Sequence, residues 1–125
     1  MDKRKPDQRS NPAAIAAAAT SQDLSLDEAE KLLNAGPAVE VLDVRTPAEF
    51  KDGHLSGARN IDVMDPDFMG QVSALARNKP YLVHCAMGSR SAKAVEAMQG
   101  LGFKTLYHMP DGMKGWLKAG KPVQK

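Results

Sequence analysis

The stretch Tyr81-Leu82-Val83-His84-Cys85-Ala86-Met87-Gly88-Ser89-Arg90-Ser91 decides the reading of this chain. Tyr81 to His84 is a short, largely apolar run that reads as a buried strand. It leads into Cys85 and then into a loop containing Gly88. From Ser89 to Leu101 a helix is expected, with Ala94, Val95, Met98 and Leu101 on one face and Gly100 and Gly102 ending it. This succession puts Cys85 at the carboxyl end of a strand, where parallel sheets bind ligands. The helix N-terminus, pointing back at the loop, favours an anion through its free N–H groups and its dipole. The same field lowers the pKa of a nearby thiol, and Arg90 adds a permanent positive charge. The competing reading is a packed, inert cysteine beside an ordinary turn.

The flanking segments supply the rest of the sheet. Ser25-Leu26-Asp27-Glu28 is a capping box, after which Leu26, Ala29 and Leu33 recur at helical spacing until Gly36-Pro37. Val39 to Val44 is a strand. Thr46-Pro47-Ala48-Glu49 is a second capping box with Pro at the first helical position, opening a short helix to about Lys51. Gly53 to Gly57 is a turn-rich loop, Arg59 to Asp62 a short strand, and Asp67 to Arg77 a helix carrying Phe68, Val72 and Leu75. Lys104 to Tyr107 and Gly112 to Lys118 are a last strand and helix. Strands alternating with helices imply an α/β fold, about five mostly parallel strands with helices on both faces. Residues 1–21, with Pro6, Pro12 and an alanine tract, read as a disordered leader, leaving 22–125 as one domain.

Composition narrows the function. The 125 residues suit one domain, 42% hydrophobic and 26% charged, as in a globular protein. Aromatics are only 5%, so the seven methionines are read as core filling. A net charge of +2 gives no reason to expect a nucleic-acid partner. The longest apolar run, Ala13 to Ala19, is far short of the roughly 20 residues of a membrane span. One cysteine excludes an internal disulfide and a Cys-rich metal site. The expectation is a cytoplasmic monomer with no membrane partner.

Four ordered blocks resemble the rhodanese family, over about Leu24 to Val123. They are Val41-Leu42-Asp43-Val44-Arg45-Thr46-Pro47-Ala48-Glu49-Phe50, Gly53-His54-Leu55-Ser56-Gly57-Ala58-Arg59-Asn60-Ile61, His84 to Ser91, and Asp111-Gly112-Met113-Lys114-Gly115-Trp116 followed by Gly120-Lys121-Pro122-Val123. The resemblance implies a thiosulfate sulfurtransferase in which Cys85 is the nucleophile and carries sulfur as a persulfide. It implies that the backbone N–H groups of Ala86, Met87, Gly88, Ser89 and Arg90 line a cradle for the donor. Asp43 and Arg45 match the family's Asp-x-Arg element. Two apart on a strand, they share a face and are expected to support the site from behind. The implied partners are a small sulfur-containing anion as donor and a thiol or protein as acceptor, with no metal or organic cofactor.

Other readings stay open. The domain could be a sulfur-relay or redox partner module with little free turnover. Phosphatases and arsenate reductases on a related fold use a longer Cys-x-x-x-x-x-Arg loop, whereas Arg90 falls one position earlier. An inactive scaffold is opposed by the intact Cys85 and Arg90. Among the remaining candidates, His84 should face away from Cys85 by strand alternation. His54 is expected to brace its turn, His108 shows no pairing signal, and Trp116 and Phe103 read as core. Met87 and Ser89 are expected to tune donor choice.

Overall fold

The computed structural model describes residues 20–125 of the chain. Five parallel strands form one sheet, β1 (Thr20–Asp23), β2 (Glu40–Asp43), β3 (Arg59–Asn60), β4 (Tyr81–His84) and β5 (Thr105–His108), in the order β1-β5-β4-β2-β3. Five helices connect them: α1 (Leu26–Asn34), α2 (Pro47–Asp52), α3 (Phe68–Ser73), α4 (Ser89–Gly100) and α5 (Gly112–Lys118). The α/β architecture expected from the alternating pattern is therefore present. Both capping boxes form as the sequence suggests, Ser25 with Glu28 and Thr46 with Glu49.

Strand alternation divides the core in two. Leu42, Val44, Tyr81, Val83 and Leu106 face one side, with Phe68 and Val72 of α3 and Ala94, Val95 and Met98 of α4. Val41 and Leu82 face the other, with Ala29 of α1 and Met113 and Trp116 of α5. The central strand β4 is buried on both faces, so it positions the following loop without reference to solvent. Phe103 and Trp116 are core residues, as expected.

Three local expectations need correction. The edge strand β1 begins at Thr20, inside the stretch assigned to a leader; residues 1–19 of that leader lie outside the described residues. Its residues, Thr-Ser-Gln-Asp, carry no apolar pattern, because an edge strand can stay polar while its backbone pairs with β5. The helix expected from Asp67 to Arg77 ends at Ser73: the Ala74 and Leu75 N–H groups bond three residues back, and the Ala76 carbonyl accepts from the Tyr81 hydroxyl instead. Methionine is not simply packing. Met98, Met109 and Met113 are buried, but Met64, Met69 and Met87 are exposed.

Candidate active site

Cys85 follows the end of β4 and its side chain lies on the α3/α4 side of the sheet, fully buried. Three residues later Gly88 caps α4 with a left-handed backbone, φ +99°. That conformation turns the chain back over the sulfur. The Sγ atom accepts the N–H of Gly88 at 3.1 Å and of Ser91 at 3.3 Å, and lies 3.3 Å from the Ser91 hydroxyl. Burial pushes the thiol pKa up. The Ser91 hydroxyl and the N–H groups of Ser91, Gly88 and Met87 pull it down and prevail, so it lies below the ordinary thiol value of 9.0.

The loop is clamped from outside. The Met113 N–H donates to the Cys85 carbonyl at 2.8 Å and the Lys114 N–H to that of Ala86 at 3.0 Å, so the first turn of α5 satisfies the loop's outward carbonyls. Gly112 at φ +65° permits this approach, since a Cβ there would collide with the Ala86 and Cys85 carbonyls.

Arg90 supplies the expected permanent positive charge near the loop but directs its hydrogen bonds to Glu49. Its guanidinium grips Glu49 in a fork, Nη1 to Oε1 at 2.7 Å and Nη2 to Oε2 at 3.0 Å. The Arg90 hydrogen bonds, with further bonds from Thr46, hold the Glu49 carboxyl down at about 2 against the cost of burial. Glu49 thus caps α2 and ties it to the first turn of α4 through one carboxylate. Of the five cradle residues expected from the sequence, Met87 and Gly88 direct N–H groups at the sulfur. Ala86 supplies a carbonyl to α5, Arg90 an anchor to Glu49, and Ser89 begins α4.

Asp43 and Arg45 lie behind the thiol. The Arg45 Nε donates to Asp43 Oδ1 at 2.9 Å and its Nη2 to Oδ2 at 2.7 Å and to the Gly53 carbonyl at 2.7 Å. Both side chains are buried. His84 shares this face, as strand alternation requires, with Nδ1 3.1 Å from the Cys85 carbonyl and Nε2 3.7 Å from Asp43 Oδ2. Burial lowers its pKa, which keeps the ring neutral. His54 braces its turn, with Nδ1 2.9 Å from the Phe50 carbonyl and its ring stacked on Phe50 at 3.9 Å.

Sequence reasoning gave no role to Ser91, His108 or Asp23, which the structure lines up behind the sulfur. Ser91 touches Sγ directly. His108 Nε2 lies 2.7 Å from Ser91 Oγ, and His108 Nδ1 lies 3.2 Å from Asp23 Oδ1. The pairing of Val83 with His108 and of Asp23 with His108 puts these side chains on the face that carries Cys85. Strand order, invisible in a linear pattern, makes that juxtaposition. Only Ser91, in the first turn of the helix after Cys85, carried a local signal.

Among the described residues no helix is long and apolar enough to cross a membrane. Comparison with known proteins agrees with the geometry. Residues 25–119 match the model of the rhodanese-like domain. The chain is 36% identical over 111 residues to thiosulfate sulfurtransferase 16, chloroplastic, of Arabidopsis thaliana, covering 81% of this chain and 91% of that protein. It is 32% identical over 91 residues to the thiosulfate sulfurtransferase GlpE of Stutzerimonas stutzeri, covering 72% and 79%. The crystal structure of a rhodanese-related protein from Thermoplasma volcanium superimposes with a TM-score of 0.73 at 31% identity, covering 82% of this chain and 97% of that one. With a family match spanning most of its length and the family's cysteine loop at the end of the central strand, the chain belongs to the rhodanese-like family.

Proposed function

We propose that this protein is a thiosulfate sulfurtransferase that carries sulfur as a persulfide on Cys85. The observation that carries the reading is the environment of the sulfur: one buried Sγ facing the backbone N–H groups of Met87, Gly88 and Ser91 and a hydroxyl, with its pKa held below that of a free thiol. Such a sulfur is a thiolate at lower pH than a free cysteine and needs no adjacent base to attack. In the first step the thiolate bonds to the outer sulfur of thiosulfate, the S–S bond of the donor breaks, and its electron pair leaves with sulfite. In the second, a thiophilic acceptor bonds to the terminal sulfur and the persulfide bond returns its pair to Cys85. Cyanide, a small thiol or a protein thiol can accept. No cofactor enters either balance. The protein is read as a cytoplasmic monomer.

The N–H groups of Ala86, Met87, Gly88, Ser89 and Arg90 are assigned to the donor, with Asp43 and Arg45 bracing the loop from behind. The loop from Cys85 to Arg90, one residue shorter than a phosphatase loop, suits a single sulfur better than a phosphate group. Thiosulfate:cyanide kinetics test the reading. Parallel double-reciprocal lines are expected for a double displacement, with activity lost in Cys85→Ala. Intersecting lines, or activity retained by that variant, would contradict it.

One observation favours a protein as acceptor. Met87, in the loop itself, and Met64, which shares a small cleft with Ser89 and Arg90, are 66% and 69% exposed. Flexible thioethers at the mouth of a site suit an adaptable macromolecular contact. Met64→Ser is then expected to slow transfer to a protein thiol while leaving cyanide turnover intact.

A further inference from the structure

We propose that His108 is a positioning residue that holds a proton for Cys85 through the hydroxyl of Ser91, with Asp23 fixing its ring. The inference rests on the reading of Cys85 as a thiolate and adds the group that balances its charge. The four side chains form an unbroken line: Asp23 Oδ1 to His108 Nδ1 at 3.2 Å, His108 Nε2 to Ser91 Oγ at 2.7 Å, and Ser91 Oγ to Cys85 Sγ at 3.3 Å. They come from β1, β5, the first turn of α4 and the residue after β4.

Proton bookkeeping along this line leaves two consistent states. An ionised Asp23 beside Nδ1 calls for a proton on Nδ1. With neutral His108, Nε2 is then a bare acceptor, the Ser91 hydroxyl donates to it, and Ser91 Oγ is free to accept the proton of the Cys85 thiol. With the thiolate, the Ser91 hydroxyl turns to the charged sulfur, and its oxygen accepts a hydrogen bond from a protonated Nε2. Both ring nitrogens are then protonated, so the thiolate state pairs with an imidazolium. Passing between the states moves one proton from Sγ to Oγ and one from Oγ to Nε2, with no change of oxidation state. The Gly88 carbonyl, which accepts the Ala92 N–H at 3.0 Å, has a second lone pair 3.2 Å from Ser91 Oγ and is an alternative acceptor for the hydroxyl when it does not face His108 or the sulfur.

The surroundings allow such a charge. Asp23 faces His108 from β1, while Lys93 and Glu96 of α4 line the same surface cleft with opposite signs. On β4, His84 lies across the sheet and is kept neutral by burial. His108 lines this cleft beside Asp23, whose side chain is 72% exposed, while the sulfur stays covered. Because the thiolate and the persulfide carry the same charge, the imidazolium persists through turnover as a counter-ion and does not shuttle.

Two titrations test the assignment. The thiolate absorbance of Cys85 is followed against pH in the unaltered chain, in His108→Gln and in Asp23→Asn. The ring signals of His108 are followed by NMR in the unaltered chain and in Cys85→Ala. Loss of the imidazolium in His108→Gln is expected to raise the Cys85 midpoint by about one pH unit, leaving about tenfold less thiolate below both midpoints. Asp23→Asn moves it the same way by less. Reciprocally, losing the thiolate in Cys85→Ala lowers the His108 midpoint by a comparable amount. A Cys85 midpoint unchanged in folded His108→Gln, or a His108 titration identical with and without the thiolate, would overturn the proposal. If His108→Gln does not fold, the His108 titration decides alone. Neither measurement requires sulfur transfer. Coupled titrations in a chain without thiosulfate activity would therefore keep this inference and remove the proposed function.

Discussion

Asp43 and Arg45 form a buried ion pair where the chain leaves β2. The pair is enclosed on the face of the sheet opposite the thiol, and its charges are satisfied almost wholly by each other and by Gly53. Asn60 adds to this by donating to the carbonyls of Asp43 and Arg45, both at 2.9 Å, where the chain leaves β2. Removing one partner strands the other charge. Asp43→Ala is therefore expected to cost about 3–5 kcal/mol of stability, measured by urea unfolding. A cost under about 1 kcal/mol would mean that Arg45 finds water or another acceptor. Asp43 and Arg45 were legible in the sequence through their match to the Asp-x-Arg element of the resembled family, and their spacing of two on a strand gave them a shared face. The Ser91, His108 and Asp23 line was not, since it depends on which strands are neighbours.

At the scale of elements, the site is a junction of helix ends around one strand. Glu49 illustrates the economy: at the third position of α2 it closes a capping box, and the same carboxylate anchors Arg90 at the second residue of α4. Glu49→Gln keeps a capping side chain and removes only the ion pair. The pair is partly exposed, so the expected loss is modest, about 0.5–1 kcal/mol near neutral pH. The sign follows from a carboxyl held at about 2 in the folded chain against 4.5 when free. Its stabilisation is complete above 4.5 and is lost as pH falls towards 2, so the variant should lack that part of the acid dependence. An equal acid dependence in both chains would remove Glu49 from the account. Gly88 is the second hinge of the junction. Its left-handed backbone and a Cβ position 2.6 Å from the Pro110 carbonyl leave no room for a side chain. Gly88→Ala is expected to cost about 2 kcal/mol or more in urea unfolding and to slow alkylation of Cys85; an unchanged rate would contradict the role given to the loop.

For the whole molecule, five parallel strands bring chemistry from distant parts of the chain to the carboxyl ends of β4, β5 and β1. The sequence made most of this frame readable: both capping boxes, the apolar central strand and the Gly-bounded α4 are local signals, and local signals survive folding. It hid β1, a polar edge strand whose backbone pairs with β5, and the end of α3, where tertiary hydrogen bonds replace helical ones. The cradle was readable as a loop but not as a division of labour. Neighbouring peptide groups of that loop turn to different partners, N–H groups to the sulfur and carbonyls to α5, and only packing decides which.

The central claim is that Cys85 holds sulfur. Its most direct test is the intact mass of the reduced protein before and after thiosulfate. The account predicts a gain of one sulfur atom, reversed by reductant or cyanide and absent from Cys85→Ala. No gain in a chain whose Cys85 remains free and alkylates readily would contradict it.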